Sequence, residues 1–297
     1  MVSPFKKTLI ISLVVIIFIF LPCFSLQSTE TTSNYSKPSK SQEQSKPVII
    51  MIHGMFAGGW VWENYRRYFE EKGYRCITPT LRYHDTLLTG QPPSQLGSTS
   101  ILDYVSDMEK EIKKLDSPPI VIGHSMGGLI AQIIGSRGMA KSLVLLSPAA
   151  PWGINPVTVS VVKSAWMNKS RFVFWNEPVQ PTFDGTVYST LHLMSPEDQS
   201  KIYQKFTYES GQALWEIGLW PFDLNRASKV DESKVTCPVL VISGSEDRIT
   251  PSKIGWKIAD KYNAAFRKYV HHAHWIIGEP GWEIIAKDIY EWLQLKK

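Results

Sequence analysis

The stretch Gly123-His124-Ser125-Met126-Gly127-Gly128 constrains this chain more than any other. An apolar run, Pro119-Ile120-Val121-Ile122, precedes it, and residues 129–134 follow with helical character. A strand that enters Gly-x-Ser-x-Gly and leaves as a helix doubles back sharply. Glycines at 123 and 127 remove the Cβ atoms that would collide in such a turn. Ser125 is then lifted to the end of a sheet. The next helix aims its N-terminus, with free N–H groups and a positive dipole, at the serine. The competing reading is an ordinary β-α turn that happens to carry a serine, and the rest of the chain bears on the choice.

From Pro47 onward, strand-like and helix-like runs alternate. Residues 48–52 are continuously apolar, as in a strand covered on both faces. Residues 60–72 read as a helix stopped at Gly73, and residues 75–78 as a short strand closed by Pro79. In residues 100–115, Ile101, Val105, Met108 and Ile112 recur at helical spacing. Further strands are predicted at 120–122, 142–146, 238–242 and 266–270, with helices at 254–262 and 282–295. Such alternation predicts a mostly parallel sheet with helices on both faces. It breaks between about residues 151 and 233, a stretch rich in proline that holds Trp152, Trp166, Trp175, Trp215 and Trp220. That stretch reads as a helical insertion over the C-terminal edge of the sheet.

The N-terminus reads differently. Lys6-Lys7 precede a nearly unbroken apolar run, residues 9–21, that ends at Pro22. A signal peptide needs an apolar core of about 7–15 residues and a membrane span about 20. Residues 1–26 are therefore expected to be a signal peptide or membrane anchor, with the body of the chain outside the cytoplasm. A buried core helix would need polar punctuation on one face, and this run has none. Residues 27–46 are polar and read as a disordered linker to a folded domain at 47–297. Lys6 and Lys7 contribute two charges to the net +5, and the remaining charges are interspersed. With no basic stripe, nucleic acid is not an expected partner. The three cysteines, Cys23, Cys76 and Cys237, form no metal-binding or disulfide pattern. Cys76 and Cys237 sit in or beside apolar strands and read as structural.

A serine nucleophile needs a base, and the base needs an orienting carboxylate. Asp247, in Gly244-Ser245-Glu246-Asp247-Arg248-Ile249-Thr250-Pro251, follows a strand and so lies at the same sheet edge as Ser125. Glu246 is its rival. The base is sought among His271, His272 and His274, after the last strand. His274 is chosen because the order Ser125, Asp247, His274 fits a nucleophile on a strand-to-helix turn, each residue following a strand. No carboxylate cluster accompanies the histidines, so a metal site is not expected. An oxyanion site needs two N–H donors. One is assigned to the Met126 backbone. The other is assigned to Met55 in His53-Gly54-Met55-Phe56-Ala57-Gly58-Gly59-Trp60, where Gly54 permits close approach. His53 is expected to brace this loop, and His124 to pack.

Together, His53-Gly54-Met55, Gly123-His124-Ser125-Met126-Gly127-Gly128, Gly244-x-x-Asp247 and His274-Trp275 with Glu279-Pro280 resemble the α/β-hydrolase superfamily, in its lipase/esterase-like branch with a helical cap. The resemblance covers about residues 47–297. It implies the α/β-hydrolase fold, an acyl-enzyme on Ser125, His274 as base, Asp247 as orienter, and no cofactor. The hairpin that commonly opens this fold is replaced here by the polar linker, so about six strands are expected rather than eight. The expected substrate is a small apolar ester, with membrane contact through the N-terminal segment. Serine at 125 argues against branches that carry aspartate there. Lyase, C–C hydrolase, thioesterase, perhydrolase and receptor-like members remain as alternatives, because fold and triad do not fix the reaction.

Overall fold

In the computed structural model, residues 46–167 and 176–296 are described. The N-terminal apolar run, nearly all of the polar stretch after it and Trp175 lie outside the described residues. Among the described residues, no helix is long and apolar enough to cross a membrane.

The first half of the chain builds β1 (Ile49–Ile52), α1 (Glu63–Glu71), β2 (Cys76–Ile77), α2 (Ile101–Ile112), β3 (Ile120–His124), α3 (Met126–Ser136) and β4 (Ser142–Leu146). An excursion follows, with α4 (Val159–Met167), β5 (Pro178–Val179), α5 (Phe183–Thr186), α6 (Pro196–Tyr203), β6 (Glu209–Ser210) and α7 (Gly211–Gly218). This excursion is the helical cap. The chain returns through β7 (Val239–Gly244), α8 (Ser252–Lys261), β8 (Ala265–Tyr269) and α9 (Trp282–Leu295). Helix α2 starts where a capping box places it, with Ser100 and Asp103 satisfying each other's backbone.

Six parallel strands form one sheet in the order β2-β1-β3-β4-β7-β8. The period of two sends alternate side chains to opposite faces. Ile50, Ile52, Val121, Leu143 and Val241 pack on one face with α2, α3 and α8. Ile49, Met51, Ile122, Val144 and Ile242 pack on the other with α1 and α9. From β1 the chain steps to one side to make β2, then returns to β1's other side to make β3. That reversal opens a crevice beyond the carboxyl ends of β1 and β3, the place where ligands bind in open α/β sheets. The register pairs Ile52 with Gly123, so the loop after β1 and the turn after β3 lie side by side.

Candidate active site

Ser125 sits at φ 53°, ψ −119°, a conformation that costs about 1–3 kcal/mol for a residue with a side chain. Hydrogen bonds hold it there. Its N–H donates to the Leu146 carbonyl at 3.0 Å, and its carbonyl accepts from Ala149 N–H at 2.8 Å and Gly128 N–H at 2.9 Å. The two flanking glycines have a steric purpose. A Cβ on Gly127 would lie 2.1 Å from the Ile52 carbonyl oxygen, and one on Gly123 would lie 2.2 Å from the Gly127 carbonyl oxygen. The turn is thus pressed into the end of β1.

Asp247 follows β7 and is buried. Its carboxylate accepts from the Thr250 N–H at 2.8 Å, the Ile249 N–H at 2.9 Å and the Thr250 hydroxyl at 2.9 Å. His274 Nδ1 lies 2.9 Å from Asp247 Oδ2 and 3.1 Å from Oδ1, so Nδ1 carries the proton, and in the neutral ring Nε2 is the acceptor. Burial alone would push the Asp247 carboxyl up. The His274 imidazole, its hydrogen bond and the Thr250 N–H outweigh that and hold the carboxyl down at about 2. A depressed carboxylate stabilises the fold fully above its unfolded value of about 3.9 and loses that contribution as pH falls through its folded value. The stability gap between wild type and Asp247→Asn is therefore expected to shrink as pH falls from about 4 to 2. Urea melts across that range check this, and a gap that grows on acidification would contradict it.

Backbone anchors fix the loop that carries His274. The buried Glu279 carboxylate accepts from the Ala273 N–H at 2.9 Å and lies 3.2 Å from His272 Nδ1. The His274 carbonyl accepts from His124 Nε2 at 2.8 Å. Burial and the neighbouring His274 push His124 down to about 3, so it is a neutral donor. His124 thus ties the serine turn to the histidine loop, beyond the packing expected of it. Glu246 is exposed and pairs with the exposed His271, away from His274.

Ser125, Met126, Gly54, Met55, His124, Thr250 and His274 share one cavity of about 430 Å³. A Cβ on Gly54 would lie 2.9 Å from Ser125 Cβ, so the loop after β1 touches the serine through a glycine. Among the described residues, no protein acceptor takes the N–H of Met55 or of Met126. His53 braces this loop, its Nδ1–H donating to the Gly54 carbonyl at 2.8 Å and its Nε2 accepting from Leu81 N–H at 3.0 Å. The cap supplies much of the remaining wall, including Val161, Phe206, Leu214 and Trp215. No aspartate, glutamate, lysine or arginine is among the described residues that line it. Thr250 and Glu279 stand in motifs that the sequence singles out, but only the fold shows what they hold.

The alpha/beta hydrolase fold family matches residues 47–280, and the chain belongs to that family. It is similar to the AB hydrolase superfamily protein YfhM of Bacillus subtilis, 25% identical over 265 residues, 84% of this chain and 90% of that one. The monoacylglycerol lipase of Mycolicibacterium smegmatis is 27% identical over 183 residues, 59% of this chain and 62% of its own length. Among solved structures, the monoacylglycerol lipase of Paleococcus ferrophilus has a TM-score of 0.63 at 19% identity, covering 84% of this chain and 94% of that one.

Proposed function

We propose that this α/β hydrolase is a serine esterase for neutral, apolar acyl esters. One observation carries the reading: a serine on a strained turn and a histidine bonded to a buried carboxylate line one cavity that lacks charged side chains among its described residues. Ser125 Oγ attacks the ester carbonyl while His274 Nε2 takes its proton. The N–H groups of Met55 and Met126 receive the developing oxyanion. His274 returns the proton to the leaving alkoxide, and water then releases the acid by the same steps. Asp247 holds the ring in the tautomer that leaves Nε2 free to accept. The monoacylglycerol lipase names among the relatives support an ester substrate. Lys6-Lys7 and the apolar run after them support delivery of the domain to or across a membrane.

The uncharged lining sets the test. Purified protein assayed on p-nitrophenyl esters is expected to prefer neutral acyl chains. A carboxylate at the acyl terminus is expected to lower kcat/KM by about 10²-fold or more, because the charge would enter the cavity unpaired. Equal turnover of the charged ester would refute the substrate reading. Absence of turnover on every ester would refute the esterase reading itself.

A further inference from the structure

A buried ion pair fastens the cap to the core, and the chemistry above makes no use of it. His84 lies between β2 and α2, and Glu209 opens β6; both are buried. His84 Nε2 is 3.0 Å from Glu209 Oε2, and His84 Nδ1 is 2.9 Å from the Arg82 carbonyl oxygen. The second carboxylate oxygen accepts from the Tyr104 hydroxyl at 2.8 Å and the Ser210 N–H at 2.7 Å. A carbonyl and a carboxylate only accept, so both ring nitrogens donate and the pair is an imidazolium on a carboxylate. Glu209 draws His84 upward against the effect of burial, in keeping with that assignment.

We propose that His84 and Glu209 are positioning residues for the reaction: they hold the loop after β1 so that the Met55 N–H points at the oxyanion. The inference rests on the reading of Ser125 and Met55 given above. Two links connect the pair to that loop. The His84 ring packs 5.3 Å from the ring of His53, the residue that grips the Gly54 carbonyl. The Gly54 C=O and the Met55 N–H belong to one planar trans peptide and point in opposite directions. Gripping the carbonyl therefore aims the N–H. The second link runs through Thr207, just before Glu209. Its N–H donates to the Phe56 carbonyl at 2.9 Å, and its hydroxyl donates to the Thr86 carbonyl at 2.5 Å. Phe56 has φ 61°, so the chain beside Met55 is held in a conformation it would otherwise leave. The residues on either side of Met55 are thus tied, from two directions, to the segments that the ion pair joins.

The test separates aim from stability. The double variant His84→Leu/Glu209→Met replaces the pair with apolar side chains of comparable bulk, an exchange that folds often tolerate. His84→Gln retains a donor towards Glu209 but loses the ring against His53. Concentrations are set by titration with a fluorophosphonate. In both variants kcat on a neutral p-nitrophenyl ester is expected to fall about 10- to 100-fold with KM changed less than about threefold. Affinity for a trifluoromethyl ketone, which forms an oxyanion on Ser125, should fall by the same factor, and Glu209→Gln, which keeps the bulk and an acceptor at that position, should lose much less. If every variant that folds keeps the wild-type kcat and ketone affinity, the pair is structural only and the inference is overturned. A wild-type protein with neither fluorophosphonate labelling nor ester turnover would overturn the reading beneath it, and this inference with it.

Discussion

Ser125→Ala is expected to lose about 10⁴- to 10⁶-fold in kcat on a neutral ester and all labelling by a fluorophosphonate. The size of the effect follows from the proposed chemistry, since without Oγ there is no acyl-enzyme and only the oxyanion donors and the cavity remain. The fold should survive the change. The bonds that hold the turn use the backbone N–H and carbonyl of Ser125, which alanine retains. A melting temperature close to wild type together with lost turnover would assign the nucleophile. Turnover retained within about tenfold would place it elsewhere and withdraw the mechanism.

Gly127→Ala should damage the fold itself. Its Cβ would meet the Ile52 carbonyl oxygen at 2.1 Å, the His53 carbonyl oxygen at 2.5 Å and the Ile52 carbonyl carbon at 2.6 Å. All three are backbone atoms at the end of a buried strand, so no side chain can swing aside. Relief requires α3 to lift from β1, which opens the core beneath the serine. Overpacking of a well-packed core, where side chains can shift, costs about 1–3 kcal/mol. A clash between two fixed backbones belongs above that range, at about 3 kcal/mol or more. Gly218→Ala is the contrast. Open space surrounds the Gly218 Cβ position at the end of α7, and alanine there should be neutral or stabilise by up to about 1 kcal/mol. Denaturant melts of the two variants test the comparison. A Gly127→Ala protein as stable as wild type would show that the turn is not pressed against β1.

What the sequence revealed was local. The apolar run into Gly123 and the strand-like runs at 142–146 and 266–270 each carry their signal within a few residues, and the six-stranded parallel sheet follows from them. Ser125, Asp247 and His274 were singled out by their place just after strands, and the fold brings His274 onto Asp247 and into a cavity with Ser125. What stayed hidden depends on distance along the chain. His84 and Glu209 are 125 residues apart, and Ser100 and Glu216, a second core–cap hydrogen bond, are 116 apart. No spacing rule joins such pairs. The cap tryptophans also misdirect: Trp152 and Trp220 pack on each other at 5.1 Å, while Trp166 is exposed. Of the tryptophans read as cap, Trp215 alone among the described residues lines the cavity. Its apolar character comes as much from Val161, Val162, Leu214 and Ile217, which composition does not single out.

The anchoring of His274 has a mechanical consequence. Glu279 grips the N–H of Ala273, the residue before it, and His124 grips the carbonyl of His274 itself, so the main chain on both sides of the base is bolted to the body of the protein. In the proposed cycle the imidazole must visit first the serine and then the departing oxygen. With its hinge points fixed, that journey is a small rocking of one ring about its own bonds, on a stationary pivot.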